Sequence, residues 1–377
     1  MTSIPPGRPT LCYIDHRALR WNFQQIRALV GPSVKILSMV KADAYGHGAT
    51  AVAQTLVGAG SDAFGVATIE EGIELRREGI KLPILVVAGI FLEQLEAFLK
   101  FRLTPVIHEV ATLQALDKRL RQRATTLPFE VEVDTGMGRI GFPSAEIDDW
   151  LPVLNNCKAV RLQGVFSHFA DAERPNERYT RQQLTTFQQV LNRLANAKVI
   201  HRTSHMAKSA ALMTEPNSRF SMVRPGLILY GIYPAPALKK QIELKPALSW
   251  QTRIIQLKRI DAGASVGYGR TFVAKRSSLI ATLPVGYADG YRRLFSNRAQ
   301  VLVRGERAPV CGRVSMDLTT IDVTDIKKVR RGDEVVLLGR QGGAEIGADE
   351  IAGWANTISY EIFTSIGARV PRIHKNF

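Results

Sequence analysis

Three cysteines in 377 residues, Cys12, Cys157 and Cys311, are few, odd in number and widely separated. That pattern excludes a disulfide framework and any zinc site of recognised spacing, and it points to reduced thiols used for packing. Long apolar runs are missing too, and none approaches the ~20 residues that a membrane-crossing helix needs. The opening MTSIPPGRPT is polar and proline-rich, without the charged-then-apolar layout of a signal peptide, so a cytoplasmic protein with no membrane partner is expected. Acids are scarce, with 34 Asp plus Glu against 50 Lys plus Arg and a net charge of +16. Such a surplus raises the question of nucleic acid. The basic residues are scattered, however, and the densest group, Lys118 to Arg123, reads as a solvated helix face with no interleaved aromatics on which bases could stack. No nucleic-acid partner is expected.

With 45% hydrophobic residues, the chain can bury a large core and is long enough for about two domains. Short apolar runs recur at 34–41, 62–68, 83–89, 103–108, 128–134, 162–168, 199–205 and 220–226. Between them lie stretches of helical period such as EEGIELRREG and RYTRQQLTTFQQVLNRLAN. Eight strands alternating with helices are the sequence form of a (β/α)8 TIM-type barrel, an α/β fold. After Lys245 the texture changes to closely spaced strands and turns, as in SWQTRIIQL, QVLVRGERAPVCGRV and DEVVLLG. The expected division is therefore a barrel over residues 1–245 and a mostly antiparallel β domain over 246–377, with the first ~12 residues packing on the second domain.

Active sites of such barrels lie at the C-terminal ends of the strands, so polar side chains ending an apolar run are the ones to examine. Those ends carry Lys41, His108, Asp134, His168, His205 and Arg224. On the fifth strand Glu130, Glu132 and Asp134 share one face by period-two alternation, and Phe129, Val131 and Val133 share the other, which places the acids inward. A barrel interior holding these charges is costly unless they pair, which suits a site better than a core. A Lys among other cations, or partly desolvated, becomes a nucleophilic amine able to form a Schiff base with an aldehyde cofactor. Pyridoxal phosphate is the obvious one. Its phosphate would lie in the loops after strands seven and eight, here HMAKSA with Ser209 and RPGLILYG with Gly226 and Leu227. Ser209 is also readable as an ordinary helix-start serine.

VKADAYGHG, EVDTGMGRIGF, SHFADA, VRPGLILYGIYP, VGYGRTF, PVGYADGYRR, VCGRVSMD and ISYEIFTSIGARVPR, in that order, resemble bacterial alanine racemase over essentially the whole chain. The resemblance implies a pyridoxal-phosphate enzyme that interconverts L-alanine and D-alanine by a two-base mechanism and supplies D-alanine for peptidoglycan. Lys41 resembles the lysine that carries the cofactor. Tyr45, Ser209, Gly226, Leu227 and Tyr360 resemble the phosphate-binding positions, and Arg224 the arginine facing the pyridine nitrogen. A permanently charged Arg does not readily protonate the ring, so the cofactor is a weaker electron sink and side reactions are limited. Tyr268 resembles the second base, supplied by the partner subunit of a homodimer with shared active sites. His168 is similar to the residue standing with Arg224 behind that base, and Arg139 to the one that steadies both the phenolate and the substrate carboxylate. Met316 matches a position whose backbone N–H meets that carboxylate, and Tyr287 an entrance residue that restricts substrate size. No metal site is implied.

Neighbouring readings are a serine or lysine racemase, which pocket size would decide, and a barrel-type decarboxylase, which usually carries an acid where Arg224 stands. A barrel that carries the cofactor without turnover would lack the second domain. Two positions depart from the family pattern. Lys208 stands where HMANSA would place an asparagine, and Glu132 occupies the place often held by a carbamylated lysine. Glu132 is expected to orient Arg139, either directly or through a bridging water or anion.

Overall fold

The computed structural model describes residues 7–174 and 177–377; residues 1–6, half of the N-terminal dozen discussed above, lie outside the described residues. The chain divides into two compact units. One comprises Ala18–Ala44 and Ala49–Lys245, the other Met1–Arg17, Tyr45–Gly48 and Pro246–Phe377.

The first unit is a barrel of eight parallel strands: β1 Lys35–Met39, β2 Ala63–Val66, β3 Ile84–Val86, β4 Thr104–Ile107, β5 Leu127–Asp134, β6 Val160–Phe166, β7 Thr203–Lys208 and β8 Met222–Arg224. Neighbours in sequence are neighbours in space, and the ring closes where Met222 of β8 lies opposite Lys35 of β1. Strands covered on both faces need continuous apolar sequence, and all four residues of β2, AFGV, are buried. The helices show the complementary stripe: on Arg178–Asn196 the buried residues include Leu184, Phe187, Val190 and Leu194. Helix Ile69–Arg77 starts from a Thr68/Glu71 capping box.

Strand seven is displaced from the run expected at 199–205. The amide of Val199 donates to Leu194 O at 2.9 Å to finish the preceding helix, and Ile200 is 88% exposed, so the apolar Val-Ile pair belongs to a loop. His205 consequently lies inside β7 and is fully buried, where the sequence reading placed it at the strand end.

A second difference follows Lys41. Ala42, Asp43, Ala44 and Tyr45 have φ of 52, 54, 51 and 54°, so the turn Lys41–Gly46 is left-handed. For L-residues this hand costs roughly 1–2 kcal/mol per residue and needs outside support. Glu71 Oε1 accepts from the Ala42 amide at 2.6 Å, Asp43 Oδ1 accepts from Ala49 at 2.7 Å, and the Ala44 amide donates to Val40 O at 2.8 Å.

The second unit is mostly β. Its larger sheet runs Glu306–Pro309, Gln300–Val303, Glu334–Gln341, Leu248–Arg253, Leu11–Asp15, Arg372–Lys375, with Ala344–Ile346 added beside Glu334–Gln341. Leu11–Asp15 pairs antiparallel with Leu248–Arg253 and parallel with Arg372–Lys375. A three-stranded antiparallel sheet, Gln256–Ile260, Ser278–Leu283 and Thr319–Asp322, and the small hairpin Ser265–Val266/Phe272–Val273 complete it.

Candidate active site

At the C-terminal end of the barrel, each candidate is held by the strand that precedes it. Lys41 follows β1 as the first residue of the left-handed turn and is half-buried. Burial, then the positive charge of Arg139, holds its amine below the ordinary lysine range, while Glu71 and Glu132 act in the opposite sense. A lysine so placed is a better nucleophile than a solvated one.

Arg224 ends β8 and is 5% exposed. Its Nη1 donates to His205 Nδ1 at 2.6 Å and to His205 O at 3.1 Å, and its Nη2 donates to Ser167 O at 2.7 Å. Nη2 also reaches His168 Nδ1 at 3.4 Å, and the guanidinium lies over the Phe166 ring at 4.7 Å. Burial lowers its pKa to about 10, with Glu132 and Glu130 countering, so it remains charged at neutral pH. His168 is held well below the ordinary histidine value, by burial first and by Arg224 next. It is therefore neutral. Because a guanidinium can only donate, Nδ1 of His168 is the acceptor and its proton sits on Nε2.

Ser209 and Gly226, proposed from spacing alone as phosphate partners, meet directly: the Gly226 amide donates to Ser209 Oγ at 2.9 Å. Leu227 follows in the short 3-10 turn Leu227–Tyr230. Lys208 is engaged elsewhere, with Nζ 2.9 Å from Glu173 Oε1.

Arg139 lies exposed in the loop after β5, where Asp134 accepts from the Gly136 and Gly138 amides. Of the orienting contact expected from Glu132, the direct form is absent. Glu132, 3% exposed, has its ion pair with His108, Oε2 to Nε2 at 3.4 Å, and among the described residues none with Arg139. The His108 contact lacks hydrogen-bond geometry.

In the β unit, Tyr45 and Tyr360 face each other with ring centroids 5.9 Å apart. Burial, then Tyr360, raises the pKa of the Tyr45 phenol. Tyr268 sits at the tip of the Ser265–Val266/Phe272–Val273 hairpin and is 70% exposed. Gly267 and Gly269, at φ 74 and 69°, supply the positive-φ backbone that the tip requires. Tyr287 and Met316 are on adjoining loops, joined by Tyr287 N donating to Ser315 O and Ala288 N to Met316 O, both at 3.0 Å. They are 42% and 53% exposed.

Sequence reasoning missed one residue and one pairing here. Glu71 supports the turn after Lys41, and the Thr-x-x-Glu spacing that makes it a capping residue was its available signal. Glu130 and His205 form a buried pair at 2.8 Å directly behind Arg224. Both were readable as inward polar residues, but not as partners.

The chain matches the alanine racemase N-terminal domain family over residues 14–234 and the C-terminal domain family over 247–374. It is 45% identical over 369 residues to an alanine racemase of Halothermothrix orenii, covering 98% of this chain and 97% of that one. An alanine racemase of Symbiobacterium thermophilum is 45% identical over 367 residues, 97% of each chain. Among solved structures, alanine racemase from D-cycloserine-producing Streptomyces lavendulae superposes with a TM-score of 0.93 at 33% identity, covering 98% of both chains. That from Bartonella henselae, with covalently bound pyridoxal phosphate, gives 0.88 at 30% identity over 98% of this chain and 100% of its own. With both domain families in order and relatives of this similarity over nearly the full length, the chain belongs to the alanine racemase family.

Proposed function

We propose that this chain interconverts L-alanine and D-alanine by a two-base mechanism, with Lys41 serving one face of the substrate α-carbon and Tyr268 of a second copy serving the other. The observation that carries this reading is the half-buried Lys41, its pKa depressed, in the barrel that also holds the buried Arg224.

The donor set fits pyridoxal phosphate. Lys41 would offer an activated amine, Ser209 Oγ and the Gly226–Leu227 backbone gather where strands seven and eight end, and the buried Arg224 would present a fixed positive charge to a ring nitrogen. The resemblance also assigns the Tyr45 and Tyr360 hydroxyls to the phosphate. When bound, pyridoxal phosphate supplies the electron sink that makes the α-proton of an amino acid acidic.

The chain's own groups do the rest. Lys41 Nζ, held deprotonated more readily than a free lysine, takes or returns a proton on its face. A free tyrosine titrates near 10 and is a poor base unless its phenolate is stabilised. His168 supplies a donor, because Arg224 fills Nδ1 and leaves the proton on Nε2 to hydrogen-bond the partner's phenolate. By the same resemblance Arg139, which is exposed, adds to that stabilisation and binds the substrate carboxylate, aided by a Met316 backbone N–H, while Tyr287 of the second copy limits substrate size. The exposure of Tyr268, Tyr287 and Met316 on one chain supports a homodimer in which each copy completes its partner's site. Supply of D-alanine to peptidoglycan in the cytoplasm is the corresponding role. Among the described residues no helix is long and apolar enough to cross a membrane.

The test is an absorbance spectrum of purified protein joined to a D-amino-acid oxidase assay on L-alanine. A yellow protein that generates D-alanine supports the reading. A cofactor-loaded protein that generates none overturns it.

A further inference from the structure

Behind Arg224, on the side away from the strand ends, a second carboxylate lies in the barrel axis. Glu130 of β5 is 6% exposed, accepts from His205 Nε2 at 2.8 Å and from Thr203 Oγ1 at 3.4 Å, and takes no part in the chemistry described above. Its place is built into the strand beside it. A Cβ at Gly164 of β6 would fall 2.4 Å from Thr203 Oγ1 and 2.6 Å from Glu130 Oε1, so with any larger residue there these side chains would have to shift. On its other side Glu130 borders a cavity of about 280 Å³ at the N-terminal mouth of the barrel, lined also by Lys35, Asp62, Gln163 and Arg202.

The hydrogen-bond chain has one consistent direction. Arg224 Nη1 can only donate, so His205 Nδ1, 2.6 Å away, must present its lone pair. A neutral imidazole then carries its proton on Nε2, which is the nitrogen facing Glu130. His205 is fully buried and its ring is stacked on Phe166 at 4.8 Å, so it has little freedom to turn. Without an acceptor at Glu130, the ring would either bury an unsatisfied N–H or move its proton to Nδ1 and meet Arg224 donor to donor.

We propose that Glu130 is a positioning residue for the racemase reaction: by accepting from His205 it fixes the tautomer that holds the Arg224 guanidinium, and through Arg224 it steadies His168. This rests on the functional reading given above, in which Arg224 faces the cofactor ring. The competing role for Glu130 is simple neutralisation of the buried positive charge. The two roles separate on Glu130→Gln, which keeps an acceptor oxygen and drops the charge, against Glu130→Leu, which loses both.

The experiment uses the full chain loaded with pyridoxal phosphate. Histidine-labelled protein is examined by ¹⁵N NMR for the His205 tautomer, and kcat and KM for alanine are measured with it. Positioning predicts that wild type and Glu130→Gln both keep Nε2 protonated, with kcat within about threefold of each other. Glu130→Leu should lose the single tautomer, with kcat lowered roughly tenfold or more and KM little moved, since it leaves a buried donor unsatisfied. Melting curves confirm that each variant is folded, and Glu130→Met replaces Glu130→Leu if that variant fails to fold. Equal loss of kcat in Glu130→Gln and the apolar variant overturns the proposal in favour of neutralisation. An apolar variant that retains the tautomer, or that changes it with wild-type kcat, overturns it as well. A wild type that does not racemise alanine defeats the reading of the site itself, whereas failure of the Gln-to-Leu contrast in an active wild type defeats only the role given to Glu130.

Discussion

Glu132 Oε2 stands 3.4 Å from His108 Nε2, joining strand five to the residue that follows strand four on the inner surface of the barrel. That carboxylate thus lies beside a histidine, and it also shapes the field felt by Lys41 and Arg224.

Three outcomes are expected of Glu132. Racemisation measured at constant pH should be indifferent to added or depleted bicarbonate, because a glutamate needs no carbon dioxide to be negative. Glu132→Gln should leave KM for alanine within about threefold of wild type, because among the described residues Glu132 has no ion pair with Arg139. Glu132 raises the Lys41 pKa, so its loss should move the midpoint of cofactor uptake by the apoprotein to lower pH. A large rise in KM would mean that Glu132 orients Arg139 after all.

Lys41→Ala should abolish both the imine absorbance of the purified protein and its racemase activity. Difference spectra of wild type and variant, each incubated with pyridoxal phosphate, check this. Persistence of the imine band in the variant, and its disappearance on changing another lysine, would reassign the anchor.

Mixing Lys41→Ala protein with Tyr268→Phe protein under conditions of subunit exchange should restore activity that neither parent has. One class of mixed site then contains both bases, while each parent lacks a general base typically worth about 10²–10⁴-fold. Exchange followed by labelled subunits, with no recovery of activity, would sink the shared site.

Protonation should weaken the fold from mildly acidic pH downward. The His168 pKa lies well below its unfolded value near 6.5, mainly through burial, so the neutral form is the folded one. That contribution is complete above the unfolded pKa and is lost as pH falls toward the folded one. Each such histidine adds a slope of about 1.4 kcal/mol per pH unit within that window. His168→Gln should flatten the dependence of Tm on pH between roughly 6.5 and 5. A slope identical to wild type would show that His168 is protonated in the folded protein.

The barrel was legible because parallel strands write themselves as uninterrupted apolar runs, and the runs around β1 to β6 and β8 stand where they were read. Strand seven was misplaced because Val199 and Ile200 are apolar without being strand residues, a difference set by solvent exposure rather than composition. Lys41, Arg224 and His168 could be singled out since a polar residue ending a buried strand is conspicuous. Who pairs with whom could not be read. Glu132 lies against His108 from the neighbouring strand, and the Glu130–His205 contact spans 75 residues of sequence. The turn after Lys41 was equally silent, since Ala-Asp-Ala-Tyr contains no glycine to announce a positive φ and is held by Glu71 from another element.

That turn gives the chain a stretch of mirror-image backbone. Ala42 and Ala44, at φ 52 and 51°, occupy the conformation native to residues of the opposite chirality. Semisynthesis with D-alanine at Ala42, whose side chain is exposed, should therefore stabilise the fold by on the order of 1–2 kcal/mol, where the same exchange in a right-handed helix would disrupt it. Enantiomeric preference at a single backbone position thus becomes a measurable property of the segment next to Lys41, and a rise in Tm on introducing the D-residue would report its handedness directly.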